Sequence, residues 1–221
     1  MILLLHNEVK VTGLTKQAAA LTTEQVKRLV KFVSEETRYP ERNLVVVLLG
    51  LKAGFRSQEI AGLAWGMVSD ADGNLTDEMR LTNTASKGMS GRVIPMNPEL
   101  RKALLVLRAH ELAKERPVTG DAYVVTLAKS NTTLINRAQS VRFLLAKNSA
   151  KQQGWFQKLG WTGVSSHSLR RTFITNAARA VSSVGGSLRE VQELAGHASI
   201  AMTQRYIVAS EDVKKDLMKK I

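Results

Sequence analysis

The residue types best suited to covalent chemistry lie in the last quarter of the chain. His167-Ser168-Leu169-Arg170 is followed by Gly196-His197 and, nine residues later, by Tyr206 within Thr203-Gln204-Arg205-Tyr206. Together these groups can act on a phosphodiester without a metal. A phenol supplies a nucleophile, guanidiniums match phosphate oxygens bidentately, and imidazoles donate hydrogen bonds or carry the proton. His167 and Arg170 are three apart, so on a helix they project from one face toward one small target. Tyr206 needs that company: a phenol titrating near 10 is a poor nucleophile at neutral pH, and a structural tyrosine would suit its helix as well. Arg171 is either a further cation for the target or a solvated one.

Two upstream residues extend the set. A pentacoordinate phosphorus carries more negative charge than the ground state, so a second guanidinium is needed, and Arg56 is the candidate. Glu59, three residues on, can orient it, although a surface ion pair would give the same spacing. Lys87 lies in the Gly-rich stretch Ser86-Lys87-Gly88-Met89-Ser90-Gly91. A loop lysine there suits a general acid for a departing 5′ oxygen, or is simply solvated.

The elements that must hold these residues are mostly helical. Thr22-Thr23-Glu24-Gln25 has the form of a capping box, followed by an apolar stripe of Val26, Leu29, Val30 and Val33. A second helix is expected over 41–52, where the nearly unbroken apolar run from Leu44 to Leu51 implies burial on most sides. Gly54 breaks it, and a third helix begins near Phe55-Arg56 with Ile60, Leu63 and Ala64 inward. Asp70 to Asn74 is turn material. Short strands around 79–82 and 92–96 flank the Lys87 loop. Helices are then expected over 98–115, 133–150, 167–181, 187–195 and 199–207, with Ser182 to Gly186 as a loop. A last amphipathic stretch carries Val213, Leu217 and Ile221. The fold class is mainly α with a small antiparallel β-sheet. No repeat or long linker divides the chain.

Composition narrows the partner. The 221 residues hold 32 Lys and Arg against 19 Asp and Glu, a net charge of +13. The isoelectric point near 10.2 favours a polyanion, because each neutralised phosphate releases condensed counterions. With no cysteine and four histidines lacking ligand spacing, neither disulfides nor a zinc site is expected. Ile2 to Leu5 is too short for a signal core, so no membrane role is expected.

Four segments, in order, carry a resemblance to the tyrosine recombinases of the phage integrase family. Ala53 to Ile60 with Leu63 and Trp65 resembles the first arginine box, and Lys87 with Arg92-Val93-Ile94-Pro95 resembles the hairpin lysine. His167 to Phe173 resembles the His-x-x-Arg box, and Leu194 to Ile200 through Tyr206 resembles the closing box. The resemblance spans roughly residues 21 to 210 and implies the recombinase catalytic-domain fold, with 1–20 an N-terminal segment and 21–221 the catalytic domain. No separate core-binding domain is apparent ahead of it.

The resemblance also implies a mechanism. Tyr206 would attack the scissile phosphate and form a 3′-phosphotyrosyl bond. Arg56, Arg170 and His197 would stabilise charge, His167 would assist proton transfer, and Lys87 would protonate the leaving 5′ oxygen. No cofactor, ATP or metal would be required. The partners implied are double-stranded DNA, a homo-oligomer that is dimeric on one site and tetrameric in synapsis, and accessory DNA-bending proteins. The compartment implied is the cytoplasm, at the nucleoid. Val213, Leu217 and Ile221 would dock on a neighbouring protomer or on their own domain. Type IB topoisomerase chemistry and a non-cleaving DNA-binding regulator of the same fold remain the alternatives.

Overall fold

A single apolar helix organises the molecule. In the computed structural model, which describes residues 18–85, 91–126, 134–206 and 218, helix α2 (Pro40–Lys52) buries every residue from Val45 to Leu51. Proline at its start lacks only an N–H that would be unpaired there anyway. Helices α1 (Thr23–Glu35), α4 (Pro98–Ala113) and α7 (Ser168–Ala180) pack around it. Each fully buried Leu or Val contributes about 1.5–3 kcal/mol of hydrophobic stabilisation, which outweighs the weak helix propensity of the valines.

Local signals set most of the boundaries. Thr22 and Gln25 form the expected reciprocal cap, with Thr22 Oγ1 accepting from Gln25 N at 3.2 Å and Gln25 Oε1 accepting from Thr22 N at 2.9 Å. Asn97 accepts from the amides of Glu99 and Leu100 to open α4. Gly54 ends the α2 segment at φ +66°, a left-handed conformation that suits glycine. An added Cβ there would also sit 2.4 Å from the Phe173 ring, so the break after α2 packs against α7 in space that a side chain would fill.

Strands β1 (Glu78–Leu81) and β2 (Arg92–Pro95) form an antiparallel pair in which Glu78 faces Pro95 and Leu81 faces Arg92. Met79, Leu81 and Ile94 point into the core. Helix α3 (Ser57–Gly62) packs on α5 (Leu134–Ala146), and α8 (Leu188–Ala195) rests against β2. The main core runs from Leu21 to Leu169; a smaller cluster of Ile174, Val191 and Ala195 collects Phe173, Val181 and Tyr206 around it. Helix α7 therefore spans two cores, and Arg170 lies at their seam.

Three boundaries differ from expectation. Helix α5 stops at Ala146 rather than 150, because a two-residue hairpin, β3 (Asn148–Ser149) with β4 (Gln152–Gln153), turns the chain back. Gly154 N then donates to Lys147 O at 2.6 Å, and the short helix α6 (Trp155–Lys158) inserts Phe156, stacked on Trp161. The loop expected at 182–186 includes a turn of 3₁₀ helix, Val181–Val184, closed by Gly185. Helix α9 (Ile200–Gln204) ends before Tyr206, which follows it in a turn. Lys87 and the stretch bearing Val213, Leu217 and Ile221 lie outside the described residues.

Candidate active site

Arg170 is the centre of the site. It sits in the first turn of α7 and is only 4% exposed. Its Nη1 donates to Gly54 O at 2.5 Å and its Nη2 to Ala195 O at 2.6 Å. One guanidinium thus ties the break after α2 to the last turn of α8. Burial, reinforced by the nearby charge of Arg56, lowers its pKa from 12.5 to about 10, so it stays charged at neutral pH but is held at a cost.

Arg56 lies close to it. Its Nη1 bonds Glu59 Oε1 at 2.8 Å and its Nη2 donates to Gly196 O at 3.2 Å. Glu59 is fully buried and also accepts from the Arg56 backbone N–H at 2.8 Å, which closes the first turn of α3. Burial alone would raise the Glu59 carboxyl, yet hydrogen bonding and charge from Arg92, with further help from Arg56, hold it below its ordinary value. The orienting role expected of Glu59 is what the geometry gives.

His197 follows Gly196, whose φ of +61° turns the chain out of α8. The imidazole is buried, and its Nδ1 lies 2.9 Å from Thr203 Oγ1. Burial, then the charges of Arg170, Arg56 and Arg92, depress its pKa to about 4. The ring is therefore neutral at pH 7. Nδ1 and the Thr203 hydroxyl share one hydrogen bond whose direction follows the tautomer; in the tautomer where the hydroxyl donates, the ring proton sits on Nε2 and can be given to an oxyanion.

His167 occupies the N-cap position of α7, just ahead of the helix rather than inside it. It stays open to solvent on one side, and its pKa is lowered by partial burial and then by Arg170, Arg142 and Arg56. The Tyr206 ring stacks on His197 with centroids 5.5 Å apart and planes 23° from parallel. Arg171 is not merely solvated, for its guanidinium lies 5.4 Å from the centre of the Tyr206 ring. His167, Arg171, Arg205 and Tyr206 border an open cleft of about 350 Å³.

Arg56, His167, Arg170, His197 and Tyr206 are thus brought together from segments up to 150 residues apart in sequence. A larger cavity, about 590 Å³, opens near Tyr39, Arg42, His110 and Tyr123 at the far end of α2, and its charges pair within its own walls, as Arg116 does with Glu111 at 3.0 Å. Among the described residues no His, Asp or Glu cluster could hold a metal, and no helix is long and apolar enough to cross a membrane.

Sequence reasoning gave no role to Arg92 or to the Thr203 hydroxyl. Thr203 could have been suspected, since a buried hydroxyl six residues from a histidine must find a partner. Arg92 offered no local signal, because its partners Glu59 and Leu194 lie 33 and 102 residues away.

The chain is also similar to known proteins. The model of the Phage integrase family matches residues 19–212. The XerC tyrosine recombinase of Bacillus pumilus (strain SAFR-032) is 29% identical over 198 residues, covering 87% of this chain and 57% of that protein. The crystal structure of XerA recombinase superposes with a TM-score of 0.64 at 24% identity, covering 91% of this chain and 64% of that one. The Tn1549 transposon integrase, solved in complex with transposon right end DNA, superposes at 0.61 with 21% identity, covering 96% and 68%. The chain therefore spans little more than half the length of the XerC relative, and it shares the recombinase catalytic-domain fold.

Proposed function

This chain belongs to the phage integrase family, and from that premise we propose that it is a site-specific recombinase that cleaves and rejoins DNA through a 3′-phosphotyrosyl intermediate. The observation that carries the proposal is the convergence of Arg56, Arg170 and His197 around carbonyls of Gly54, Ala195 and Gly196, with the Tyr206 ring against His197. Backbone carbonyls fix both guanidiniums before any substrate arrives, so little reorganisation accompanies charge development.

In the proposed reaction the Tyr206 oxygen attacks the scissile phosphorus and the bond to the 5′ oxygen breaks. Arg56 and Arg170 take the non-bridging oxygens, His197 donates through Nε2, and His167 assists transfer of the phenol proton. Lys87 protonates the leaving 5′ oxygen. Because the phosphotyrosyl bond conserves the energy of the one broken, the reverse attack by a 5′ hydroxyl rejoins a strand with no ATP, cofactor or metal. Residues 21–221 act as the catalytic unit on double-stranded DNA, as a dimer on one site and a tetramer in synapsis, aided by DNA-bending proteins at the nucleoid of the cytoplasm.

The test is Tyr206→Phe on a nicked suicide duplex that traps the covalent adduct. The unmodified protein should accumulate adduct and the variant none. Adduct formation by Tyr206→Phe would assign the nucleophile elsewhere; plasmid relaxation without exchange between two sites would shift the activity to a topoisomerase.

A further inference from the structure

A buried ionic circuit runs behind the site, and one of its members, Arg92, is not among the residues that border the cleft. Arg92, the first residue of β2, is 8% exposed in its side chain. Its Nη1 and Nη2 grip Glu59 Oε1 and Oε2 at 3.0 and 3.2 Å, and its Nε donates to Leu194 O at 2.9 Å. Glu59 in turn holds Arg56 by backbone and side chain, and Arg56 returns to Gly196 O. The circuit thus closes from β2 through α3 to the end of α8, and an added Cβ on Gly196 would lie 2.9 Å from Arg92 Nη1.

We propose that Arg92 is a positioning residue for strand cleavage: it locks Glu59 behind Arg56 and ties the last turn of α8, which leads into Gly196-His197, to β2, so that the phosphate-binding groups keep one geometry. The inference rests on the cleavage reaction proposed above. Two features distinguish this from an ion pair that only holds the fold. The fork engages both carboxylate oxygens, leaving Glu59 no freedom to rotate away from Arg56. The third N–H is spent on Leu194 O in the last turn of α8, the turn that leads into Gly196 and His197, so one side chain braces both arms of the phosphate clamp.

The experiment uses the full chain and compares Arg92→Met, Arg92→Lys and the double variant Arg92→Met with Glu59→Gln. Arg92→Met should slow adduct formation on the suicide duplex by about 10²–10³-fold, the scale of losing one preorganised donor, while half-site affinity changes by less than about threefold. Arg92→Lys should recover to within about tenfold of the unmodified rate, because an ammonium neutralises Glu59 without forking it. Without Arg92, burial pushes the Glu59 carboxyl upward. The Arg92→Met rate should therefore fall toward acid, a limb absent from the unmodified protein and abolished in the double variant. A substrate with sulfur at the 5′ bridging position, whose leaving group needs no acid, should not restore the rate.

Cleavage by Arg92→Met within about threefold of normal would overturn the proposal, as would a loss matched by weakened DNA binding with no acidic limb, or restoration by the sulfur substrate. The carboxyl carbon resonance of Glu59 gives a readout free of any DNA chemistry. It should titrate at higher pH in Arg92→Met than in the unmodified protein, and an unchanged titration would reject the lock. An unmodified protein that forms no adduct would instead remove the recombinase proposal, with the Glu59 titration still deciding the role of Arg92.

Discussion

Glu59→Gln is the sharpest test of how the site is held together, because it changes one buried atom's chemistry and almost no volume. The carboxylate has no solvent contact and faces two guanidiniums at 2.8–3.2 Å. The amide keeps one accepting oxygen but points an N–H₂ at a donor, leaving Arg56 and Arg92 without a counter-charge beside the equally cationic Arg170. Removing one member of a buried pair costs about 3–5 kcal/mol, and the retained oxygen puts this case near the lower figure. In a chain of this size each kcal/mol moves the melting temperature by about 2–4 °C, so a drop of roughly 6–12 °C is expected. Thermal unfolding followed by far-ultraviolet circular dichroism measures it directly. The sign with pH is fixed as well. The Glu59 pKa is lowered on folding from 4.5, so its contribution is fully present above that value and is lost only as pH falls through the lower folded value. The gap between the two proteins should then be flat around neutrality and close in acid. A loss below about 1 kcal/mol, or a gap that changes across neutral pH, would refute the reasoning.

Two further outcomes follow from the same geometry. His197 is held neutral, with its pKa lowered to about 4 against an ordinary 6.5. The unfolded chain therefore binds the extra proton first, and stability should fall as pH drops from 6.5 toward 4; His197→Asn should flatten that slope in urea titrations, and an unchanged slope would contradict it. Gly196→Ala forces a side chain into φ +61° and onto Arg92. Left-handed strain of about 1–2 kcal/mol should appear in unfolding, and adduct formation should slow by more than the stability loss implies; a variant that cleaves normally would show that the turn need not hold its position.

What the sequence made legible was local. The Thr22 and Gln25 cap, the apolar run of α2, the strands around Arg92 and Glu78, and the three-residue spacing of Arg56 and Glu59 all express interactions between near neighbours, where residue type and spacing suffice. What stayed hidden depended on distant partners. Arg171 looked like a solvated cation until α9 brought Tyr206 beneath it. Helix α5 carried its pattern past Ala146, but the backbone of Gly154 takes over the carbonyl of Lys147 and stops it. Tyr206 falls after α9 because Arg205 ends the helix with a cap bond to Thr203 O, a boundary that apolar periodicity does not mark.

In the cleavage reaction proposed above, the charge balance of the site favours the transition state over the bound ground state. Among the described residues, Arg56, Arg92 and Arg170 meet a single carboxylate, Glu59, so the circuit carries a surplus of two positive charges with both histidines held toward neutrality. That surplus is strained: burial and mutual repulsion are what lower the Arg170 pKa. A phosphodiester brings one negative charge and relieves the strain in part. The pentacoordinate state brings two and relieves it fully. Differential relief of this kind accelerates the chemical step, whereas uniform attraction to DNA would only tighten binding. For that proposed reaction it also accounts for the single carboxylate. Without Glu59 the three guanidiniums would repel one another out of alignment, and a second carboxylate would cancel the charge that the transition state needs.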